Sequence, residues 1–212
     1  MERKEGMTSK EKILKRLKNN SEILLASDNS QDFDMPDFSD IEPLRYEDTL
    51  ATFIENAKRV SGAKVEELKS GAEVNDIIRE LYPEAKIIGS NLTNIRADIN
   101  PDLVESGKDL MKVDVGVIEG KIGVAENGCI WVPQSMKERA ICFASEYLVI
   151  LLKKDAIVDN MHDAYETIEQ HPDFFEPYKF GTFISGPSKT ADIESALVYG
   201  AQAARGVAVI LI

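Results

Sequence analysis

Two short apolar runs, Tyr147 to Leu152 and Val207 to Ile212, constrain the fold of this chain more than any other feature of it. Each is far below the roughly 18 residues a membrane helix needs. Neither alternates with polar residues as a half-exposed strand would. They read as strands covered on both faces, which is the situation of parallel strands in α/β proteins. The surrounding pattern agrees. Leu50, Phe53, Ile54 and Ala57 recur at three and four residues and predict an amphipathic helix within 46–60 that ends before Gly62. Ala63-Lys64-Val65 reads as a short strand, Glu73 to Leu81 as a helix stopped by Tyr82-Pro83, and Ala85 to Ile88 as a strand closing at Gly89.

Further along, Asp114 to Val117 is strand-like, and Gly123 to Val132 is a hairpin-like excursion in which Gly120, Gly123 and Gly128 supply bends. Helices are expected over Ser135 to Ala144 and His162 to Glu169. The chain is expected to close with strand, turn, helix and strand from Phe180 to Ile212, the helix running from Asp192 to Tyr199. The expected fold is α/β: a three-layer α/β/α domain over 46–212 with a mainly parallel sheet.

Residues 1–45 differ in character. Ile13, Leu14 and Leu17, then Ile23 and Leu24, fall on one face of a basic helix. Charge then inverts, because Asn19 to Leu44 holds seven acidic residues and no Lys or Arg. Pro36 and Pro43 mark this stretch as an extended arm or linker. Phe33, Met35 and Phe38 are apolar anchors within it, so it is either a mobile linker or an arm lying against the domain or against a second copy in a homo-oligomer.

Charge bounds the partners. A formal net charge of −12 disfavours a nucleic-acid backbone. It leaves room for a small anion, which backbone N–H groups at a helix start can hold on an acidic protein. The two cysteines, Cys129 and Cys142, form no C-x-x-C pair, so no thiolate cage for a metal is expected. They are expected to be buried free thiols in a reducing, cytoplasmic setting. No apolar run follows the basic start as a secretory signal would require, and no membrane span is expected. His162 and His171 are nine apart, which does not fit paired metal ligands on a helix, and both are expected at the surface or as caps. Trp131 alternates with Ile130 and Val132 and is expected to pack on a sheet face.

The chemistry-bearing segment is Gly186-Pro187-Ser188-Lys189-Thr190. It follows the β-rich Thr182 to Ser185 and precedes the helical pattern beginning at Asp192. A strand-to-helix turn at the carboxyl end of a strand is a usual ligand position in open α/β sheets, and Lys189 adds positive charge. Asp192 fits the helix dipole and is placed to turn back onto Ser188 or Lys189. The segment lacks the G-x-x-x-x-G-K-[ST] spacing of a Walker loop, so nucleotide hydrolysis does not follow from it. Arg139 is a second cation able to grip a carboxylate bidentately, or simply an exposed helix arginine.

Ile184 to Glu194, followed by Leu197-Val198-Tyr199-Gly200, resembles the signature of the LUD-domain family, of the lactate-utilisation protein C type. Gly123-Val-Ala-Glu-Asn-Gly-Cys129, Arg139 and the Tyr147 strand extend the resemblance over about the C-terminal half. It implies a fold like that of the sugar-phosphate isomerase and CoA-transferase superfamily. It also implies a part in L-lactate oxidation beside iron–sulfur partner subunits, with a small anionic metabolite or cofactor bound between Glu126-Asn127-Gly128 and Gly186 to Thr190. Two segments depart from the family pattern. Glu126-Asn127-Gly128-Cys129 stands where relatives are expected to have Glu-Thr-Gly-Thr, and Gln202 to Gly206 stands where a His-Gly-Pro triplet is expected. The first is similar to the Ser-Glu-Asn-Gly segment of CoA-transferases, which makes Glu126 a candidate catalytic nucleophile for acyl transfer. A tight Asn-Gly turn explains the same residues without chemistry. A third alternative is a non-catalytic assembly or regulatory subunit.

Overall fold

The computed structural model describes residues 10, 12–18, 42–69, 73–191 and 196–212. The chain divides into Met1–Glu42 and Pro43–Ile212. In the first, residues 12–18 form helix α1, whose Ile13, Leu14 and Leu17 are exposed. The rest of the expected basic helix and nearly all of the acidic arm, with Phe33, Met35 and Phe38, lie outside the described residues.

The second begins with α2 (Thr49–Asn56), started by the Asp48 carboxylate, which accepts the Ala51 N–H at 2.8 Å. Its apolar stripe buries Phe53 and Ala57 completely. The helix does not stop at Asn56 but widens into a π turn over Ala57–Ser61 and ends at Gly62, whose φ of 76° supplies the left-handed cap. Strand β1 (Lys64–Glu67) and helix α3 (Val74–Leu81) follow close to expectation, whereas the strand expected over Ala85 to Ile88 is reduced to β2 (Ile88–Gly89). Then come β3 (Val115–Glu119), β4 (Ile122–Val124), β5 (Ile130–Pro133), α4 (Ile141–Ala144), β6 (Tyr147–Leu152), β7 (Ile157–Val158) and α5 (Met161–Gln170). The chain closes with β8 (Gly181–Ile184), β9 (Lys189–Thr190), β10 (Val198–Tyr199) and β11 (Gly206–Leu211).

The two apolar runs are neighbours at the centre of a five-stranded sheet of order β1-β11-β6-β3-β2, in which every pairing is parallel. Successive β6 residues point to opposite faces. Leu148, Ile150 and Leu152 join the core that holds Phe53 of α2 and Ile141 of α4, whereas Val149 and Leu151 join the core that holds Val74 and Ile78 of α3. Both faces are covered by helices, as the continuous apolar runs require, and the architecture is α/β/α.

A second, four-stranded sheet of order β7-β4-β5-β8 packs through Ile130 and Val132 onto the α2 and α4 side. Its outer face, with Ile122, Val124 and Trp131, is covered by Ala164 and Ile168 of α5. The expected excursion is its antiparallel β4–β5 hairpin. Trp131 packs on a sheet face, its ring centroid 4.9 Å from that of Phe183.

Two expectations are corrected. The helix expected over Ser135 to Ala144 is only α4. Ahead of it the Asp102 carboxylate accepts the Lys137 N–H at 2.7 Å, Glu138 accepts the Ala140 N–H, and the Gln134 amide donates to the Met136 and Lys137 carbonyls. Side chains thus take the backbone partners a helix would have used. Arg139 accordingly sits in the turn before α4 rather than on a helix. The helix expected from Asp192 to Tyr199 does not reach Tyr199 either. Val198–Tyr199 is β10, paired antiparallel with Lys189–Thr190, and residues 192–195, Asp192 among them, lie outside the described residues.

Among the described residues no helix is long and apolar enough to cross a membrane.

Candidate functional site

Strand β8 pairs antiparallel with β5, so its carboxyl end belongs to the second sheet and not to the parallel one. The Gly186 turn that follows therefore does not sit above the carboxyl ends of the parallel strands. With Lys189–Thr190 in a strand, the turn does not open a helix there either. Both are corrections to the expected strand-to-helix ligand turn. The non-local β5 pairing decides the first and the β9–β10 hairpin the second.

What the turn does is form one wall of a cleft of about 410 Å³, with Gln202, Ala203 and Ala204 as the opposite wall. Leu148 and Val207, each the second residue of its strand, line it, which places the cleft at the amino ends of β6 and β11. Phe143 and Phe183 add aromatic surface. The walls are tied together by the Ser188 N–H donating to the Ala204 carbonyl at 2.9 Å. Pro187 is buried, Ser188 half-buried and Lys189 exposed.

Ser61, which sequence reasoning did not single out, joins the two blocks that it did. Only 1% exposed, its hydroxyl donates to the Asn127 carbonyl and lies 2.9 Å from the Ser185 hydroxyl. Its carbonyl accepts from the Lys189 ammonium, which also reaches the Val60 carbonyl at 3.3 Å. A cation on the last carbonyls of the π turn is favoured by the helix dipole. Asn127, Ser185 and Lys189 thus converge on one residue, although nothing in the local pattern around Ser61 marks it.

Glu126 and Gly128 have other neighbours. The Glu126 carboxylate accepts the Met161 N–H at 3.2 Å, at the first residue of α5. A negative group is stabilised at that position, and Glu126 does not line the cleft. Asn127 accepts the Cys129 N–H on its own side chain, and Gly128, at φ 69°, donates its N–H to the Val124 carbonyl. That closes the β4–β5 hairpin as a tight turn. Thr190 pairs with Val198 beside the cleft. The Arg139 guanidinium lies over the Phe180 ring at 4.4 Å.

Cys142 lines the cleft, yet burial pushes its thiol up to about 12, and burial likewise pushes Cys129 up to about 11. Both thiols are therefore neutral and poor nucleophiles near neutrality. Native protein at pH 8 is expected to leave a disulfide-exchange reagent unreacted, with two thiols appearing on denaturation; rapid labelling of the native fold would contradict this. Because both folded values lie above the ordinary 9.0, stability is full below pH 9 and is lost as pH rises toward 11 and 12. His162 and His171 are surface residues, His162 meeting Glu166 one helical turn on at 3.1 Å.

A sequence model of the LUD domain matches residues 91–212, more than half of the chain and all of both cleft walls. The chain belongs to the LUD domain family. This LUD protein is 32% identical over 116 residues to the Lactate utilization protein C of Shouchella clausii (strain KSM-K16), a stretch that covers 53% of this chain and 51% of that protein. It thus spans about half the length of the curated relative it matches. The crystal structure of a DUF162 family protein from Deinococcus radiodurans superposes with a TM-score of 0.58 at 17% identity. That match covers 80% of this chain and 99% of the other, and it bears on the fold alone. Residues 43–90, which supply α2 and the Ser61 that holds Lys189, lie outside the family match.

Proposed function

We propose that this LUD protein serves lactate utilisation and binds a small anionic metabolite in the cleft between Gly186–Lys189 and Gln202–Ala204. The observation that carries the reading is the cleft itself. Two family segments wall a concave, largely apolar space with a cation on its rim, the form small-ligand sites usually take. The name of the matched relative supports the metabolic setting. Iron–sulfur subunits of lactate oxidation are the partners proposed to work beside it. In this reading Lys189 attracts the anion with its remaining donor and its charge, and the Ser188 hydroxyl supplies a further hydrogen bond.

Calorimetry with L-lactate tests it. Lys189→Met keeps the apolar stem and removes the charge, and is expected to weaken binding about tenfold, or ~1.4 kcal/mol. Unchanged affinity in a folded Lys189→Met protein would remove Lys189 from the site. Acyl transfer through Glu126 has less support, because that carboxylate is occupied at the start of α5 rather than presented to the cleft.

A further inference from the structure

We infer that the cleft is one end of a longer groove built for an elongated amphipathic anion, with an apolar or aromatic body resting on Phe143 and its acid group on Arg139. The inference deepens the proposed reading and rests on the cleft being a ligand site. A second concavity of about 480 Å³ adjoins the cleft and shares Phe143 and Gln202 with it. Either space alone falls within the roughly 300–1,000 Å³ of sites that enclose drug-sized ligands, so a three-carbon acid would leave most of the groove to water. Phe143, the residue common to both, is 41% exposed, and Met111, on the far wall, is 74% exposed. Such apolar surface inside a concavity is what an apolar ligand body covers.

Charge identifies the end group. Arg139 lines the second concavity, its guanidinium carbon 4.4 Å from the centroid of the Phe180 ring. Its carbonyl accepts the Cys142 N–H, but among the described residues its guanidinium forms no ion pair and no hydrogen bond, so the planar donor fork is available to a carboxylate. The neighbouring carboxylate, Glu138, is engaged by the Ala140 N–H. The contact with the Phe180 ring favours that position of the guanidinium. Phosphates and sulfonates can meet the same fork bidentately, so the choice of a carboxylate rests on the small organic acid of the proposed reading.

Calorimetry with phenylbutyrate, its neutral alcohol phenylbutanol, and L-lactate is the test, on the full chain and on Phe143→Ala, Arg139→Gln and Arg139→Lys. Both side chains are exposed, so the fold is expected to survive. Phenylbutyrate is expected to bind at least tenfold tighter than L-lactate and than phenylbutanol. Phe143→Ala and Arg139→Gln are each expected to weaken it about tenfold, with partial recovery in Arg139→Lys, and Arg139→Gln, which lies outside the cleft lining, is expected to leave L-lactate unchanged. If L-lactate binds and phenylbutyrate binds no better, the groove inference fails and the small-anion reading stands. If phenylbutyrate binds through Phe143 and Arg139 while Lys189→Met leaves L-lactate unaffected, the reverse holds. If neither acid binds, or if all variants bind phenylbutyrate equally, the inference is overturned.

Discussion

Alanine at Gly186 is expected to unseat the loop that forms one wall of the cleft. Gly186 has a φ of 66°, and a Cβ built on it would lie 1.9 Å from the Ser61 carbonyl oxygen and 2.6 Å from its carbonyl carbon. An L-residue in that conformation costs about 1–2 kcal/mol. Forcing atoms into packed surroundings adds about 1–3 kcal/mol. Neither neighbour can yield cheaply, because the Ser61 carbonyl already accepts from Lys189 and the Ser61 hydroxyl bonds the Asn127 carbonyl. The expected loss is roughly 2–5 kcal/mol in urea unfolding, the sum of those two costs. Ligand binding is expected to be lost along with it, even at temperatures where the core stays folded. A change within about 0.5 kcal/mol, typical of an unremarkable surface site, would contradict the close approach of the turn to the π turn.

Alanine at Gly128 is expected to destabilise by a similar amount but through the hairpin. Its φ is 69°, and a Cβ there would meet the Ala57 nitrogen at 2.4 Å and the Ala57 Cα at 2.5 Å. Ala57 is fully buried where α2 passes into the π turn, so relief requires moving either the helix or the β4–β5 hairpin. The left-handed and overpacking costs again sum to roughly 2–5 kcal/mol. Thermal unfolding followed by circular dichroism reads it. A melting temperature equal to that of the parent protein would show that the hairpin is not pressed onto the π turn. The two substitutions separate structure from function, since Gly186 lines the cleft and Gly128 does not.

The central strands were readable because their signal is local. Five consecutive apolar residues in β6 and five in β11 are buried, and together they cover both faces of the sheet. Helix α5 was readable for the same reason, its buried Ala164 and Ile168 being one turn apart. Strand β8 was readable as a strand but not as a member of a second sheet, because its partner β5 lies some fifty residues away and pairing leaves no mark on either sequence. The turn expected to open a helix is a hairpin arm for a related reason. Lys189–Thr190 and Val198–Tyr199 are short and exposed or half-buried, so neither run carries a periodic apolar signal.

The candidate site divides the same way. The Gly186 segment and the Glu126 segment stood out as motifs, and the fold brings Asn127 and Lys189 to a common neighbour. That neighbour, Ser61, was invisible because a serine before a helix-ending glycine has many explanations. Phe143 was equally hidden, and Gln202 stood out only as a departure from the family pattern, since the surface they share exists only once α4 and the loop before β11 lie side by side. Glu126 looked chemical in isolation, and its partner, the Met161 N–H, comes from an element thirty-five residues on.

An amide chemical-shift titration with L-lactate tests the central claim most directly, because it reports where the anion binds as well as whether it does. The account predicts shifts concentrated at Gly186, Ser188, Lys189, Ala203 and Ala204, at the amino ends of β6 and β11. Shifts centred instead on Glu126 and Met161, or none at millimolar L-lactate, would contradict it.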